Sequence, residues 1–240
     1  MKKVLGLLVG AAMVLTITGT ASAHVGQGSR LRFFFGDTGS VAWQSGTDNT
    51  GAFVNDSPLD ENHARLKLNV PSQTGNDYAG AFANGTGLGH RRVADVRNLS
   101  FDFLLGPDDT GGGVRFSIPI DENNDGVQEA FLFAAARDCA EPILDSDWQR
   151  ADFTGRTSVG CTIYYEKGVY TSTGTQSAWG VFAAAHPTYR IARQSEQVAL
   201  VVLDEAGTVF LDRIAMQRHM FVKAGFGENA ITHCPTEVSC

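Results

Sequence analysis

The chain has 240 residues, of which 26 are acidic and 19 are Lys or Arg, so its formal net charge is −7 and its isoelectric point is near 5.3. An acidic chain whose basic residues do not cluster offers no electropositive groove, which argues against nucleic acid or an anionic membrane as the main partner. Its length suits one large β domain or two small ones.

The first 23 residues have the three parts of an export signal. Lys2 and Lys3 supply the positive start, residues 4–18 form an uncharged apolar run, and a small-x-small cleavage site ends at Ala23. The apolar run is shorter than the roughly 20 residues that span a bilayer, so a transmembrane anchor is the weaker interpretation. We therefore predict a signal peptide over 1–23, a secreted, extracellular protein and no membrane insertion.

Cleavage at this site places His24 at the amino terminus of the mature chain. The opening of the mature chain is loosely similar to that of lytic polysaccharide monooxygenases, in which the amino group and imidazole of the first residue hold copper together with a second histidine. The resemblance implies a copper site at His24, without choosing its partner among His63, His90, His186, His219 and His233. The alternative, which we favour, is a frayed terminal residue of the kind found at most chain ends.

Beyond the leader, short runs with period-2 alternation and β-branched or aromatic residues predict a series of strands, separated by clusters of Gly, Asp and Asn. The predicted strands are 31–35, 65–70, 99–105, 114–120, 130–135, 162–165, 178–183, 198–203, 208–215 and 220–223. Residues 145–153 and 190–196 are predicted to form a helical turn or two. This spacing favours an all-β fold, a two-sheet β-sandwich or jelly roll with very little helix, as a single domain over 24–240.

Two of these segments resemble strands of jelly-roll carbohydrate-binding modules. Residues 98–103 (N-L-S-F-D-F) are similar to an early core strand of those modules. Residues 209–214 (V-F-L-D-R-I) are similar to their last strand, which often reads V-Y-L-D-D-I. The resemblance implies a jelly-roll fold and a possible polysaccharide or cell-surface ligand, and it speaks for the fold more than for the function.

Between two predicted strands the chain reads D-E-N-N-D-G, starting at Asp121. Oxygen ligands at positions one, three and five, with glycine at six for the sharp turn, are what Ca²⁺ requires. Leu132 stands at position twelve, where an EF-hand has a bidentate Glu, so we predict a structural Ca²⁺ site in a β-hairpin loop instead. Its predicted ligands are the side chains of Asp121, Asn123, Asp125 and Glu129 and the carbonyl of Val127. The alternative is a solvated acidic turn without metal.

All four cysteines lie beyond the leader, and an even number in an exported chain predicts disulfides. Pairing of sequence neighbours, Cys139 with Cys161 and Cys234 with Cys240, is the simplest of the three connectivities. The alternative for the second pair is a metal site with His233, although thiolate sites favour reducing compartments.

Aromatic residues that lie close to Asp, Asn and Gln are the predicted ligand contacts, because flat rings and hydrogen-bonding groups together suit sugar rings. Trp148, which is flanked by Asp147 and Gln149, is the main candidate for an exposed ring. Trp179 and Tyr165 complete the predicted ligand-binding set. The alternative for each ring is the core of the sandwich, where most aromatic residues lie.

Residues 221–226 (F-V-K-A-G-F) are similar to the Y-F-K-A-G segment of jelly-roll alginate lyases. Phe221 replaces the first Tyr of that motif, so the resemblance implies at most a substrate contact by Lys223 and no catalytic Tyr. The family's R-x-E-L-R and Q-I-H segments have no counterpart in the right order. No catalytic residue is therefore assigned.

Three functions stay open on this basis. The leading hypothesis is a secreted, calcium-stabilised module that binds a glycan or another extracellular surface without being an enzyme. The second is a polysaccharide-active enzyme of alginate-lyase-like or copper-monooxygenase-like type, and the third is a structural envelope or matrix protein. Fold class alone does not decide among them.

Overall fold

The computed structural model describes residues 31–36, 38–44, 63–72, 77–83, 88–106, 114–139, 148–154, 161–167, 174–192, 200–203, 205–217, 219–224 and 228–233, the last two segments by their backbone. The predicted signal peptide, His24, Cys234 and Cys240 lie outside the described residues.

The first sheet has eight antiparallel strands among the described residues. Seven are hydrogen-bonded in the order β1 (Leu31–Gly36), β4 (Tyr78–Ala83), β12 (Leu200–Leu203), β6 (Arg115–Asp121), β7 (Ala130–Ala135), β9 (Ile163–Glu166) and β10 (Thr175–Ser177). The eighth, β11 (Arg190–Ile191), pairs with the end of β6, so that Arg190 lies opposite Asp121. This pairing brings a distant part of the chain to the turn that follows β6.

The second sheet has seven strands among the described residues, again all antiparallel. Six are hydrogen-bonded in the order β15 (Glu228–His233), β14 (His219–Ala224), β3 (His63–Val70), β13 (Gly207–Met216), β5 (Leu99–Leu105) and β8 (Gln149–Asp152). The seventh, β2 (Ser40–Gln44), pairs with β3. Because the chain passes repeatedly from one sheet to the other, neighbouring strands are often far apart in sequence.

The two sheets share one core. Alternation along each strand turns one set of side chains inward. Phe101 of the second sheet packs on Phe116 of the first, with ring centroids 5.1 Å apart, and Phe153 lies 5.6 Å from both rings. All three rings are buried. The prediction of an all-β, two-sheet β-sandwich with very little helix is therefore confirmed.

A seven-residue helix, α1 (Trp179–Ala185), replaces the strand predicted over 178–183, and that prediction is wrong. Trp179, Phe182 and Ala183 are buried at helical spacing, whereas Val181 is exposed. In so short a segment the apolar residues fit a helical period and a strand period equally well. Three consecutive alanines have the highest helix propensity and favour the helix.

The two predicted helical turns are also wrong in the parts that the structure describes. Residues 149–152 form β8 and residues 190–191 form β11. Segments this short carry little periodicity, and pairing with β5 and β6 decides their conformation.

The disulfide predicted between Cys139 and Cys161 is confirmed. It joins the turn after β7 to the residues before β9, across a sequence separation of 22. A bridge over a loop of this size contributes on the order of 3 kcal/mol by restricting the unfolded chain. In the part of the chain that the structure describes, no helix is long and apolar enough to cross a membrane.

Candidate functional site

The acidic turn (residues 121–129), which joins β6 to β7, is built around the carboxylate of Asp121. Its two oxygens accept hydrogen bonds from the backbone N–H groups of Asn124 (2.5 Å) and Gly126 (2.8 Å). Asn124 and Gly126 have φ angles of 66° and 88°, in the left-handed region that Gly and Asn adopt most readily. The D-x-N-x-D-G pattern therefore supplies the residues that this backbone needs.

Three carboxylates of the acidic turn converge. Asp121, Asp125 and Glu129 offer oxygen atoms that lie within 4.8 Å of one another. Ca²⁺–oxygen bonds are about 2.3–2.6 Å long, so oxygens that share one ion lie within about twice that distance of each other. The donors are hard and anionic, and their separation matches the size of a Ca²⁺ coordination shell. They fit the ion that the sequence pattern predicts.

The other two predicted ligands belong to the same hydrogen-bonded loop. Asn123 Oδ1 accepts a bond from the backbone N–H of Asp125 (2.9 Å), and Val127 donates its N–H to Asp125 Oδ1 (2.8 Å). Glu129 Oε2 accepts a bond from the N–H of Glu122 (2.8 Å), which ties the end of the turn to its start. All five predicted ligands thus lie in one compact loop.

The side chain of Glu122 is held by donors from two other parts of the chain. The hydroxyls of Tyr165 and Tyr189 donate to its two oxygens, and the Lys167 ammonium lies 3.1 Å from Glu122 Oε1. Burial raises the pKa of Glu122, but these hydrogen bonds lower it by more, so its pKa lies below the usual value. Burial and the bond to Glu122 hold the pKa of Tyr165 well above its usual value. Each group therefore keeps a single protonation state across neutral pH.

A cluster of aromatic rings positions these tyrosines. Phe182 and His186 have ring centroids 4.5 Å apart, and His186 stacks on Tyr189 at 4.4 Å. Tyr165 packs on Phe182 at 5.3 Å. Phe182 lies on α1 and His186 follows its end, so the helix determines where the two hydroxyls meet Glu122.

A cleft of about 530 Å³ opens beside the acidic turn. Its volume lies in the range of about 300–1,000 Å³ that is common for small-ligand sites. Six of its seven lining residues are of polar or charged type, and their aliphatic stems and Pro187 add apolar surface; the residues are Arg92, Glu122, Asn123, Asn124, Pro187, Thr188 and Arg190. Carboxylate, amide, hydroxyl and guanidinium groups together supply both donors and acceptors.

Two arginines lie side by side in this lining. Arg92 and Arg190 face each other in an isolated antiparallel bridge. Arg92 makes a two-point ion pair with Asp95, at 2.8 and 3.1 Å, whereas Arg190 Nη1 donates to the carbonyl of His90 (2.7 Å). His90 has a φ of 62°, a backbone conformation that is uncommon outside glycine and that clusters at functional sites.

The structure separates the three aromatic residues predicted as ligand contacts. Tyr165 adjoins the cleft through Glu122. Trp179 is buried in the core and its indole N–H donates to a backbone carbonyl (3.2 Å), so both its faces are covered. Trp148 is half-buried beside the second sheet, where the Arg65 guanidinium lies 5.2 Å from its ring centre. Its indole nitrogen is buried and has no hydrogen-bond partner among the described residues. The structure does not bring Trp148 to the cleft.

Several residues of the site could not be recognised from a sequence motif. Glu122 lies inside the calcium motif, but position two of that motif is not a ligand position. Arg92 and the segment 187–190 belong to no motif at all, and only the pairing of β11 with β6 brings them to the acidic turn. Lys223, the residue implied by the lyase resemblance, lies on β14, which is described by its backbone.

One solved structure is similar to this chain in fold over most of its length. No protein-family model and no curated protein matches the chain. Among solved structures, it is similar to a family 11 carbohydrate-binding module from Clostridium thermocellum in complex with a β-1,3-1,4-mixed-linked tetrasaccharide. The match covers 82% of this chain and 89% of that chain, with 11% identity and a TM-score of 0.37. We draw no conclusion from a likeness at this TM-score, and the fold assignment rests on the sheets described above.

Proposed function

We propose that this protein is a secreted, calcium-stabilised β-sandwich module that binds a glycan in the cleft beside the acidic turn. The observation that carries the proposal is the cleft itself, with its volume of about 530 Å³ and its mixed polar lining. A sugar hydroxyl can donate one hydrogen bond and accept others. The amide, hydroxyl, carboxylate and guanidinium groups of the lining include both the acceptors and the donors that such a hydroxyl requires. Pro187 adds an apolar surface for the carbon skeleton of a sugar.

Calcium has a structural role in this proposal. Glu122, Asn123 and Asn124 line the cleft and also belong to the acidic turn. The three converging carboxylates of that turn repel one another unless a cation offsets their charge. Extracellular calcium is millimolar, so even a weak site fills there. A bound ion would hold this wall of the cleft in one conformation.

The protonation states at the cleft favour binding over acid–base catalysis. General acids and bases work best when their pKa lies near the operating pH. The pKa of Glu122 lies below its usual value and that of Tyr165 lies above its usual value, so neither group exchanges protons readily near neutrality. Both groups therefore suit a fixed structural role in the wall of the cleft, as in a binding module.

Two further observations support secretion. Residues 1–23 have the pattern of an export signal. The disulfide between Cys139 and Cys161 is typical of proteins in oxidising compartments.

A steric block of the cleft tests the function without changing any charge. Thr188 lines the cleft and its side chain is exposed, so Thr188→Trp fills the cleft without disturbing the core. We expect the wild-type protein to be retained by at least one glycan on insoluble polysaccharides or a glycan array in millimolar calcium. Thr188→Trp should lose at least about tenfold in affinity, equivalent to about 1.4 kcal/mol.

Thr175 provides the matched control, because it is an exposed threonine on β10 outside the cleft lining. Thr175→Trp should bind as the wild type does, and circular dichroism should show both variants to be folded. Failure of the folded wild type to bind any glycan would contradict the proposal and favour a structural envelope role. Equal affinities of the two tryptophan variants for the glycan would show that the glycan binds outside the cleft.

A further inference from the structure

The cleft carries an uneven distribution of charge. Its own carboxylate, Glu122, is paired with Lys167, and Arg92 is paired with Asp95. For Arg190, in contrast, no carboxylate partner is found within the described residues. The lining therefore holds one positive charge that makes no ion pair with a described side chain.

Arg190 is also fixed in place. Its backbone pairs with Asp121 of β6, and its Nη1 atom donates to the carbonyl of His90 at 2.7 Å. His90 is held in turn by its own N–H, which donates to the carbonyl of Ile191 at 2.9 Å. One contact thus fixes the backbone of Arg190 and the other fixes its guanidinium before any ligand binds, which reduces the entropy lost on binding.

The remaining donors of Arg190 suit an anion. None of the hydrogen bonds among the described residues uses Nε or Nη2, which form one edge of the planar guanidinium. That edge presents two parallel N–H groups, the arrangement that binds carboxylate and sulfate oxygens bidentately. A neutral hydroxyl would accept only one of these two hydrogen bonds and would not neutralise the positive charge of Arg190.

We propose that the cleft recognises an acidic glycan, one of whose carboxylate or sulfate groups binds Arg190. This inference rests on the glycan-binding function proposed above and narrows its ligand to sugars that carry a negative charge. Asn123, Asn124 and Thr188 then contact the hydroxyls around the charged group.

The overall charge of the protein does not prevent this recognition. The net charge of −7 opposes an anionic ligand at long range. At physiological ionic strength, however, exposed charges more than about 8 Å apart are largely screened from each other. The contact between Arg190 and an acidic group is shorter than that distance, and the Ca²⁺ proposed for the adjacent acidic turn would offset the carboxylates that lie nearby.

Matched pairs of polysaccharides test this inference. Polygalacturonate and its fully methyl-esterified form differ in carboxylate charge, and dextran sulfate and dextran differ in sulfate charge. In millimolar calcium we expect at least one acidic member to bind at least about tenfold more tightly than its neutral counterpart. The pair that shows the difference identifies carboxylate or sulfate as the group recognised.

Two arginine variants link that preference to the site. Arg190→Gln should lower affinity for the acidic polysaccharide at least about tenfold, whereas Arg190→Lys, which keeps the charge but loses the fork, should lose less. Arg97→Gln changes an exposed arginine outside the cleft lining and should stay within about twofold of the wild type.

The outcomes separate this inference from the function on which it rests. Retention by a neutral glycan that Thr188→Trp abolishes, with no preference for either acidic member, would overturn the inference and leave the glycan-binding function standing. An acidic preference that Arg190→Gln and Arg97→Gln reduce equally would also overturn it, because the attraction would then be non-specific. Failure of the folded protein to bind any glycan would overturn both.

Discussion

Glu122 joins the acidic turn to the aromatic cluster. Its backbone N–H donates to Glu129, while its carboxylate accepts from Tyr165, Tyr189 and Lys167. These donors stabilise the ionised form more than burial disfavours it, so the pKa is lowered. A single side chain thereby couples the proposed calcium site to the wall of the cleft.

The lowered pKa of Glu122 predicts a pH-dependent effect of Glu122→Gln on stability. At pH 7 the substitution should cost about 1 kcal/mol, or roughly 2–4 °C in the unfolding midpoint. A folded-state pKa below the unfolded value gives stability above about pH 4.3, which is lost as the pH falls through the folded pKa. The difference between the thermal melts of the two proteins should therefore be largest at neutral pH and should shrink progressively as the pH falls below about 4.3. A difference that grows as the pH falls through the acidic range would contradict this account.

Residues of this site differ in how far they could be predicted from the sequence. The convergence of Asp121, Asp125 and Glu129 was predictable, because one short turn contains them all and its backbone requirements are local. The partners of Glu122 were not, since Tyr165 and Tyr189 lie 43 and 67 residues away from it. Only the tertiary fold brings those hydroxyls to the carboxylate.

At the scale of elements, a bulge in β13 ties three strands together. The register of β13 against β5 shifts between Asp212 and Ala215, and Arg213 has a φ of 44°. This conformation brings the Arg213 guanidinium to the carboxylate of Asp102 on β5. Arg150 of β8 lies 3.2 Å from the same carboxylate, whose side chain is only 3% exposed. One buried aspartate therefore pairs with arginines from both neighbouring strands.

Asp102→Asn should destabilise the fold strongly, because it removes the charge that balances two partly buried arginines. We expect a loss of about 3 kcal/mol in the free energy of unfolding, measured by denaturant titration. Asp95→Asn is the control, since it breaks an exposed aspartate–arginine pair and should cost less than about 1 kcal/mol. Equal losses for the two variants would show that the buried pair contributes no more than the exposed one.

The proposed calcium site of the acidic turn can be tested by its effect on thermal stability. If Ca²⁺ binds it, an ion concentration about 100 times Kd stabilises the fold by about 2.7 kcal/mol, or roughly 5–10 °C in a domain of this size. Asp125→Ala should remove most of that shift, because it deletes one of the three converging carboxylates. Glu205→Ala, which lies outside the turn, should keep it. Wild-type midpoints that coincide in calcium and in chelator would contradict the calcium site.

At the scale of the whole molecule, the fold class was more predictable than the arrangement of its strands. The strands β5 and β7 match the predicted bounds because each is a short, mostly apolar run bounded by turn residues, which is typical of a strand buried on both faces. Short edge strands such as β10 and β11 carry too few residues to show any period. The cleft depends on β11 and on α1, two elements predicted wrongly, so its residues could not be assembled from the sequence.

We propose the cleft beside the acidic turn as the place where a glycan binds. A crystal structure with calcium and an oligosaccharide of the retained glycan tests it most directly. We predict a sugar in hydrogen-bond contact with Thr188 and with Asn123 or Asn124, and an ion among Asp121, Asp125 and Glu129. A sugar bound instead beside Trp148, with the cleft empty, would contradict the account.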